Sequence, residues 1–276
     1  MTDALRPYLA AFAARFQVML QYRAAALAGF VTQAWWGALK VMVYAAFYRH
    51  AVHTDAPMSL AQAITYTWLG QALLTLQPWT GDPDVSAAVR TGGVSYDCLR
   101  PVDTYNWWLV RATAWMTARA VPRAALMFAA AGVALPLMGY REWAWQAPAD
   151  LTQGALFVCA LLLMILLSAA FTMLINICIA ATLTDRGINT LAAAFVILFS
   201  GNLIPLGFFP DWAQPALIAQ PFAGMLDIPM RIYIGTLRGS WAYAGLAMQA
   251  FWLATFVLLG RLWMGRVMMR LEVQGG

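Results

Sequence analysis

Residues 151–175 read LTQGALFVCALLLMILLSAAFTMLI and contain no Asp, Glu, Lys or Arg. A helix that crosses a bilayer needs about 20 predominantly apolar residues, so this stretch alone is a membrane span. The fold class then turns on how often the pattern recurs. Working outward, apolar runs of similar character occupy 24–47, 59–79, 112–138, 188–208 and 241–263, which with 151–175 makes six. The chain as a whole is 62% hydrophobic and 11% charged, with a mean hydropathy of +0.66. Soluble domains are roughly 45–50% apolar and 25% charged. The expectation is an all-α polytopic membrane protein, one domain over 1–276.

Residues 1–23 precede the first span. Leu5, Tyr8, Leu9, Phe12, Phe16, Met19 and Leu20 fall on one helical face, with Arg6, Gln17 and Gln21 turned away. That pattern predicts an interfacial helix lying along the membrane surface. No small-residue cleavage site follows it, so it does not read as a removable signal peptide.

The basic residues are 16 Arg and the single Lys40, distributed between the apolar runs. This is the signature of topology, not of a nucleic-acid stripe. With six spans, Arg6, Arg15, Arg23, Arg90, Arg100, Arg111, Arg119, Arg123, Arg186, Arg261, Arg266 and Arg270 fall on one side. Only Arg49, Arg141, Arg231 and Arg238 fall on the other. The positive-inside rule places both termini in the cytoplasm, with 80–111 as the one long cytoplasmic loop. The segment 209–240 is external, and Pro210, Pro215, Pro221 and Pro229 break it among apolar residues. Short helices that re-enter the membrane or pack on the bundle satisfy both facts.

Several residue types invite a chemical role and have a plainer reading beside it. His50, His53 and Asp55 have metal-ligand character but no fourth ligand, and a solvated loop is the expectation. Cys98, Cys159 and Cys178 form no CxxC pair, so free thiols and no structural metal are expected. Lys40 sits within two turns of a span end, where snorkelling to the headgroups is expected and substrate contact is the alternative. Thr67, Gln71 and Thr75 share one face of the second run, with Gln62, Thr65 and Tyr66 roughly opposite. Polar groups on both faces imply a helix surrounded by protein or by a wet path. In the fifth run Leu191, Phe195, Leu198, Phe199 and Asn202 share a face suited to an aromatic cargo or to packing. No GxxxxGK[ST] loop, GxSxG elbow or HExxH motif occurs. The chain therefore carries no recognisable ATPase or hydrolase site.

The loop is more specific. Asp82-Pro83-Asp84-Val85 leads into a short helical stretch to Arg90. Thr91-Gly92-Gly93 ends it, and Leu99-Arg100-Pro101-Val102-Asp103 follows. This resembles the loop of bacterial type 2 ATP-binding-cassette permeases (the ABC-2 transporter family), which reads broadly "IR-x-G-x-(l/i)-x-x-x-LLRP". A second similarity lies in Leu203-Ile204-Pro205-Leu206-Gly207-Phe208-Phe209-Pro210, followed by Gln220-Pro221-Phe222, against that family's external "PLSFFP…LPF" signature. Cys98-Leu99 stands where Leu-Leu is usual, and Gly207 where Ser is common.

The resemblance implies a permease subunit without its own ATPase site. It would work with nucleotide-binding ATPase subunits that hold ATP and Mg, and with a second permease copy or a related permease. No cofactor on this chain and no nucleic-acid partner are implied; membrane lipid surrounds it. Asp84, Val85, Val89, Arg90, Arg100 and Pro101 would couple to the ATPase, Val85 and Val89 as an apolar anchor. Thr67, Gln71, Thr75, Phe195, Phe199 and Asn202 would line a path for an amphiphilic small molecule, natural product or lipid. A secondary transporter or a membrane-embedded enzyme stands as the alternative. The first would need repeated halves and the second clustered His or carboxylates, and neither pattern is evident.

Overall fold

The computed structural model describes residues 2–50 and 56–269. The His53 and Asp55 positions of the first loop lie outside them. Twelve helical segments are described, with no β-strand among the described residues: α1 (Thr2–Leu20), α2 (Arg23–His50), α3 (Leu60–Ala72), α4 (Pro83–Arg90), α5 (Val94–Cys98), α6 (Thr104–Met127), α7 (Leu135–Leu137), α8 (Leu151–Thr182), α9 (Arg186–Phe199), α10 (Gln214–Ala219), α11 (Asp227–Tyr233) and α12 (Ser240–Met268). A π-helical turn over Phe128–Ala134 joins α6 to α7 in one rod.

Three rods are long and apolar enough to cross a membrane: Thr104–Leu137, Leu151–Thr182 and Ser240–Met268. The charge-free stretch 151–175 lies in α8. Its 32 residues reach about 48 Å at roughly 1.5 Å each, and it forms the axis of the bundle. Met164, Leu167, Met173 and Ile177 of α8 are fully buried, while Leu162 and Leu166, nearer its start, are exposed. Trp35, Trp36 and Val43 on α2 and Leu258 and Leu259 on α12 are exposed as well. Large apolar side chains displayed on several helices are compatible with a lipid exterior.

The other expected runs depart from simple rods, each for a visible reason. The run 188–208 is helical only to Phe199. Gly201 then takes a left-handed φ of +84°, and a Cβ there would lie 2.6 Å from the Tyr66 hydroxyl. Pro205 prevents the helix from resuming directly, and a single 3-10 turn, Leu206–Phe208, follows. In the run 59–79, α3 stops after 13 residues and continues only as a 3-10 turn, Leu74–Leu76. α3 starts from a full capping box of Ser59 and Gln62, and every residue from Ala63 to Leu73 is buried. A helix walled in by protein is what its two polar faces implied.

The expectation for α1 needs correction. Its apolar face is split: Leu5 and Leu9 are exposed, whereas Tyr8, Phe12 and Met19 are half-buried with Arg15 between them. The helix runs side by side with the first half of α6. The Tyr8 hydroxyl accepts from the Asp103 N–H at 3.1 Å; further along, Arg15 and Arg111 share Asp84. A helix flat on the membrane meets a crossing helix over about one turn, so α1 takes the direction of α6 instead.

The proline-rich stretch 209–240 folds as short helices against α8 and α12. Gln249 of α12, fully buried, donates to the Ala160 carbonyl at 3.1 Å and the Gly224 carbonyl at 2.7 Å. It thereby ties three elements together. Gln249→Leu, which takes this donor from the Gly224 carbonyl and unties α12 from α8, should destabilise the protein by about 1–2 kcal/mol. The check is the thermal unfolding midpoint in detergent; an unchanged midpoint would show that this tie contributes nothing.

Candidate functional site

Three arrangements gather the polar side chains: a small pocket at the break after α9, an aromatic cluster beside it, and a charged network around α4. The pocket forms where α9 stops and α3 passes. It is lined by Lys40, Tyr66, Thr67, Gln71, Asn202 and Leu226 among others, and has room for about one water molecule. Lys40 Nζ donates to the Asn202 backbone carbonyl at 2.6 Å and stands 3.3 Å from Asn202 Oδ1. Asn202 in turn donates to Gln77 Oε1 at 3.1 Å. The expected snorkelling of Lys40 is therefore overturned: the amine is consumed inside the bundle, by a carbonyl that the helix break leaves free.

Asp227 anchors the deeper wall. Its Oδ1 accepts from the Tyr66 hydroxyl at 3.0 Å and the Leu206 N–H at 2.9 Å, and its Oδ2 lies 3.6 Å from Arg231 Nη1. The carboxylate is fully buried, so these donors replace water for it.

Of the six expected path residues, Thr67, Gln71 and Asn202 meet at this pocket. Thr67 spends its hydroxyl on the Ala63 carbonyl of its own helix at 2.8 Å. Gln71 Oε1 at the pocket, and Thr75 Oγ1 one turn further along, are buried without a partner. Phe195 and Phe199 do not join them. They stack with Phe222 at centroid separations of 6.0–6.4 Å, and Phe195 is 49% exposed. The expected single path thus divides into a polar pocket and an aromatic patch on the outside of α9.

In the charged network Asp82 caps α4, accepting from the Asp84 N–H, and Pro83 follows at the first helical position. The Asp82 N–H donates to Asn176 Oδ1 of α8 at 2.8 Å, and the Gly81 N–H to Asn189 Oδ1 at 3.0 Å. A Cβ on Gly81 would stand 2.7 Å from Asn176 Oδ1, so only glycine fits this approach. Arg15 pairs with Asp82 at 2.8 Å and also with Asp84; Arg111 reaches Asp84 at 3.4 Å and Asp97 at 3.6 Å. Burial pushes the Asp82 carboxyl above the usual carboxylate value, and the Arg15 guanidinium opposes that shift.

Val85 and Val89, expected as an apolar anchor for a partner, are 3% and 6% exposed. They pack in the molecule's own core with Trp108, Met173, Ile177 and Met264. This corrects their role: the helix turns its apolar face inward because α8 and α12 offer the larger apolar surface. What α4 presents outward is Asp84, Ala87 and Arg90, with Arg90 held 3.4 Å from Asp185. Arg100 pairs with Asp97 at 3.2 Å and lies over the Trp107 ring, and Pro101 is exposed.

Arg15, Tyr66 and Asp227 were not singled out as interacting from sequence. Asp227 alone carried a signal, an acid set between apolar and proline residues. Comparison with protein-family models, with curated proteins and with solved structures finds no match. Among the described residues no group of His, Cys, Asp and Glu is arranged to hold a metal.

Tyr66→Phe keeps the shape of the pocket and removes one donor from a buried carboxylate, at an expected cost of about 1.5–3 kcal/mol. Thermal unfolding of the purified variant measures it. A loss below about 0.5 kcal/mol would mean that water or Arg231 replaces the phenol.

Proposed function

We propose that this chain is the membrane-spanning permease subunit of a type 2 ATP-binding-cassette exporter, driven by ATPase subunits on separate chains. The observation that carries the reading is the two-sided mounting of α4. Its inner face is fixed to α8 through Val85, Val89 and the Asp82 N–H, while Asp84, Ala87 and Arg90 face outward. A short helix rigidly joined to the central rod and free on its other face is suited to receive a push and pass it on.

In this reading six segments cross the inner membrane: α2, α3 with its following turn, the α6–α7 rod, α8, α9 with the turn after it, and α12. Both termini lie in the cytoplasm. α1 and the first half of α6 form a cytoplasmic collar around α4 and α5, and 209–240 caps the external side. Two permease copies, or this chain and a related one, enclose the path. Closure of the ATPases on ATP and Mg presses on the outward face of α4, and α8 carries the movement toward the break at Gly201. The polar pocket and the aromatic patch near that break together suit an amphiphilic cargo, with polar groups for its head and rings for its apolar part.

Ala87 is exposed, so Ala87→Glu should leave the fold intact. Purification of the tagged protein from its native membrane should recover a stoichiometric, vanadate-sensitive ATPase. The Ala87→Glu form should lose it by about tenfold or more. Recovery of the unaltered, well-folded chain with no ATPase would sink the proposal; full retention by the variant would remove α4 as the docking element.

A further inference from the structure

A concavity of about 580 Å³ lies away from both sites, between the start of α2 and the middle of α6. Its walls are apolar, with Leu20, Leu27, Trp115, Pro122 and Leu126 prominent, yet Arg23, Arg119 and Arg123 also line it. No carboxylate pairs with any of these three arginines among the described residues. Arg15 and Arg111, by contrast, share Asp84.

Two of the three are held in place. Arg119 lies over the Trp115 ring, 4.6 Å from its centroid. Arg123 lies flat on α2, where Ala25 and Gly29 leave room. Its Nη2 donates to the Ala25 carbonyl at 3.3 Å, and a Cβ on Gly29 would stand 2.5 Å from its Cζ. Arg123 Nε is buried without an acceptor. Arg119 and Arg123 are one turn apart on the same face, where like charges repel.

Their level along the chain is informative. Arg23 immediately precedes the apolar run of α2, and Arg119 and Arg123 lie about two and three turns inside the run 112–138, where long side chains reach back to the headgroups. Pro122 lies inside α6 at the same place. Composition thus puts the cluster at the boundary between headgroups and hydrocarbon.

We propose that this groove is a binding site for an anionic phospholipid. The phosphate sits among Arg119, Arg123 and Arg23, which supply the counter-charge missing from the protein, and an acyl chain lies along Leu27, Trp115 and Leu126. Guanidinium groups match phosphate oxygens in geometry as well as charge. The site needs no ATPase partner, so it stands or falls separately from the permease reading.

Native mass spectrometry of the detergent-purified chain, offered phosphatidylglycerol and phosphatidylcholine in equal amounts, tests it. The first bound lipid should favour phosphatidylglycerol by about tenfold or more. Arg119→Gln with Arg123→Gln should bring the ratio close to one, and Arg238→Gln should leave it unchanged. If the paired variant fails to fold, Arg23→Gln, at an exposed position, should lower the preference by about threefold to fivefold. Equal retention of the two lipids by the unaltered chain, or an undiminished preference in the variants, would overturn the assignment. Displacement of the lipid by millimolar glycerol phosphate would overturn it in favour of a free phosphate.

Discussion

A polypeptide that interrupts its helices inside an apolar bundle has to supply, from its own side chains, every hydrogen bond that water would give elsewhere. The buried carboxylate of Asp227 meets that constraint here. It takes the Leu206 N–H exposed by the break after α9 and is held by the Tyr66 hydroxyl, while its own N–H closes on the Ser200 carbonyl at 3.0 Å. Lys40 does the complementary job for the Asn202 carbonyl. Without these groups the non-helical stretch from Ser200 to Pro205 would leave donors and acceptors bare in low dielectric, each at a cost of several kcal/mol. The short α3 and the cap formed by 209–240 both depend on this solution, because they pack against the break.

The same logic, in a wetter setting, fixes α4. Its capping carboxylate is almost wholly buried, so it can sit against α8 only because Arg15 arrives from α1 to compensate the charge. Asn176 adds a hydrogen bond to the backbone at the start of the helix. The loop is thereby built into the bundle, and a force on its outer face meets a rigid connection.

Local signals made much of this legible in the sequence. The charge-free run in α8 sets a span without any tertiary information. Asp82-Pro83 followed by Gly92-Gly93 marks both ends of α4, since a capping acid, a proline at the first position and a glycine stop act within a few residues. The polar faces of α3 correctly implied a walled-in helix. The pairings that give these elements their roles were not legible. Arg15 reaches Asp82 across 67 positions, Tyr66 reaches Asp227 across 161, and Lys40 reaches Asn202 across 162. Periodicity reports which face is apolar, not which neighbour covers it. For that reason Val85 and Val89 looked like a partner's anchor when they belong to the core, and α1 looked like a surface helix when Arg15 binds it to the loop.

The distance in sequence between Arg15 and its two aspartates sets an order of events during synthesis. α1 leaves the ribosome well before Asp82 and Asp84 exist, so for that interval its arginine has no partner and the helix nothing to pack on. α2 and α3 leave the ribosome while α1 waits, and α1 can dock only after the first half of α6 has also emerged. Docking of α1 is therefore late, and a chain stalled before α6 would display α1 to whatever chaperone or protease is at hand.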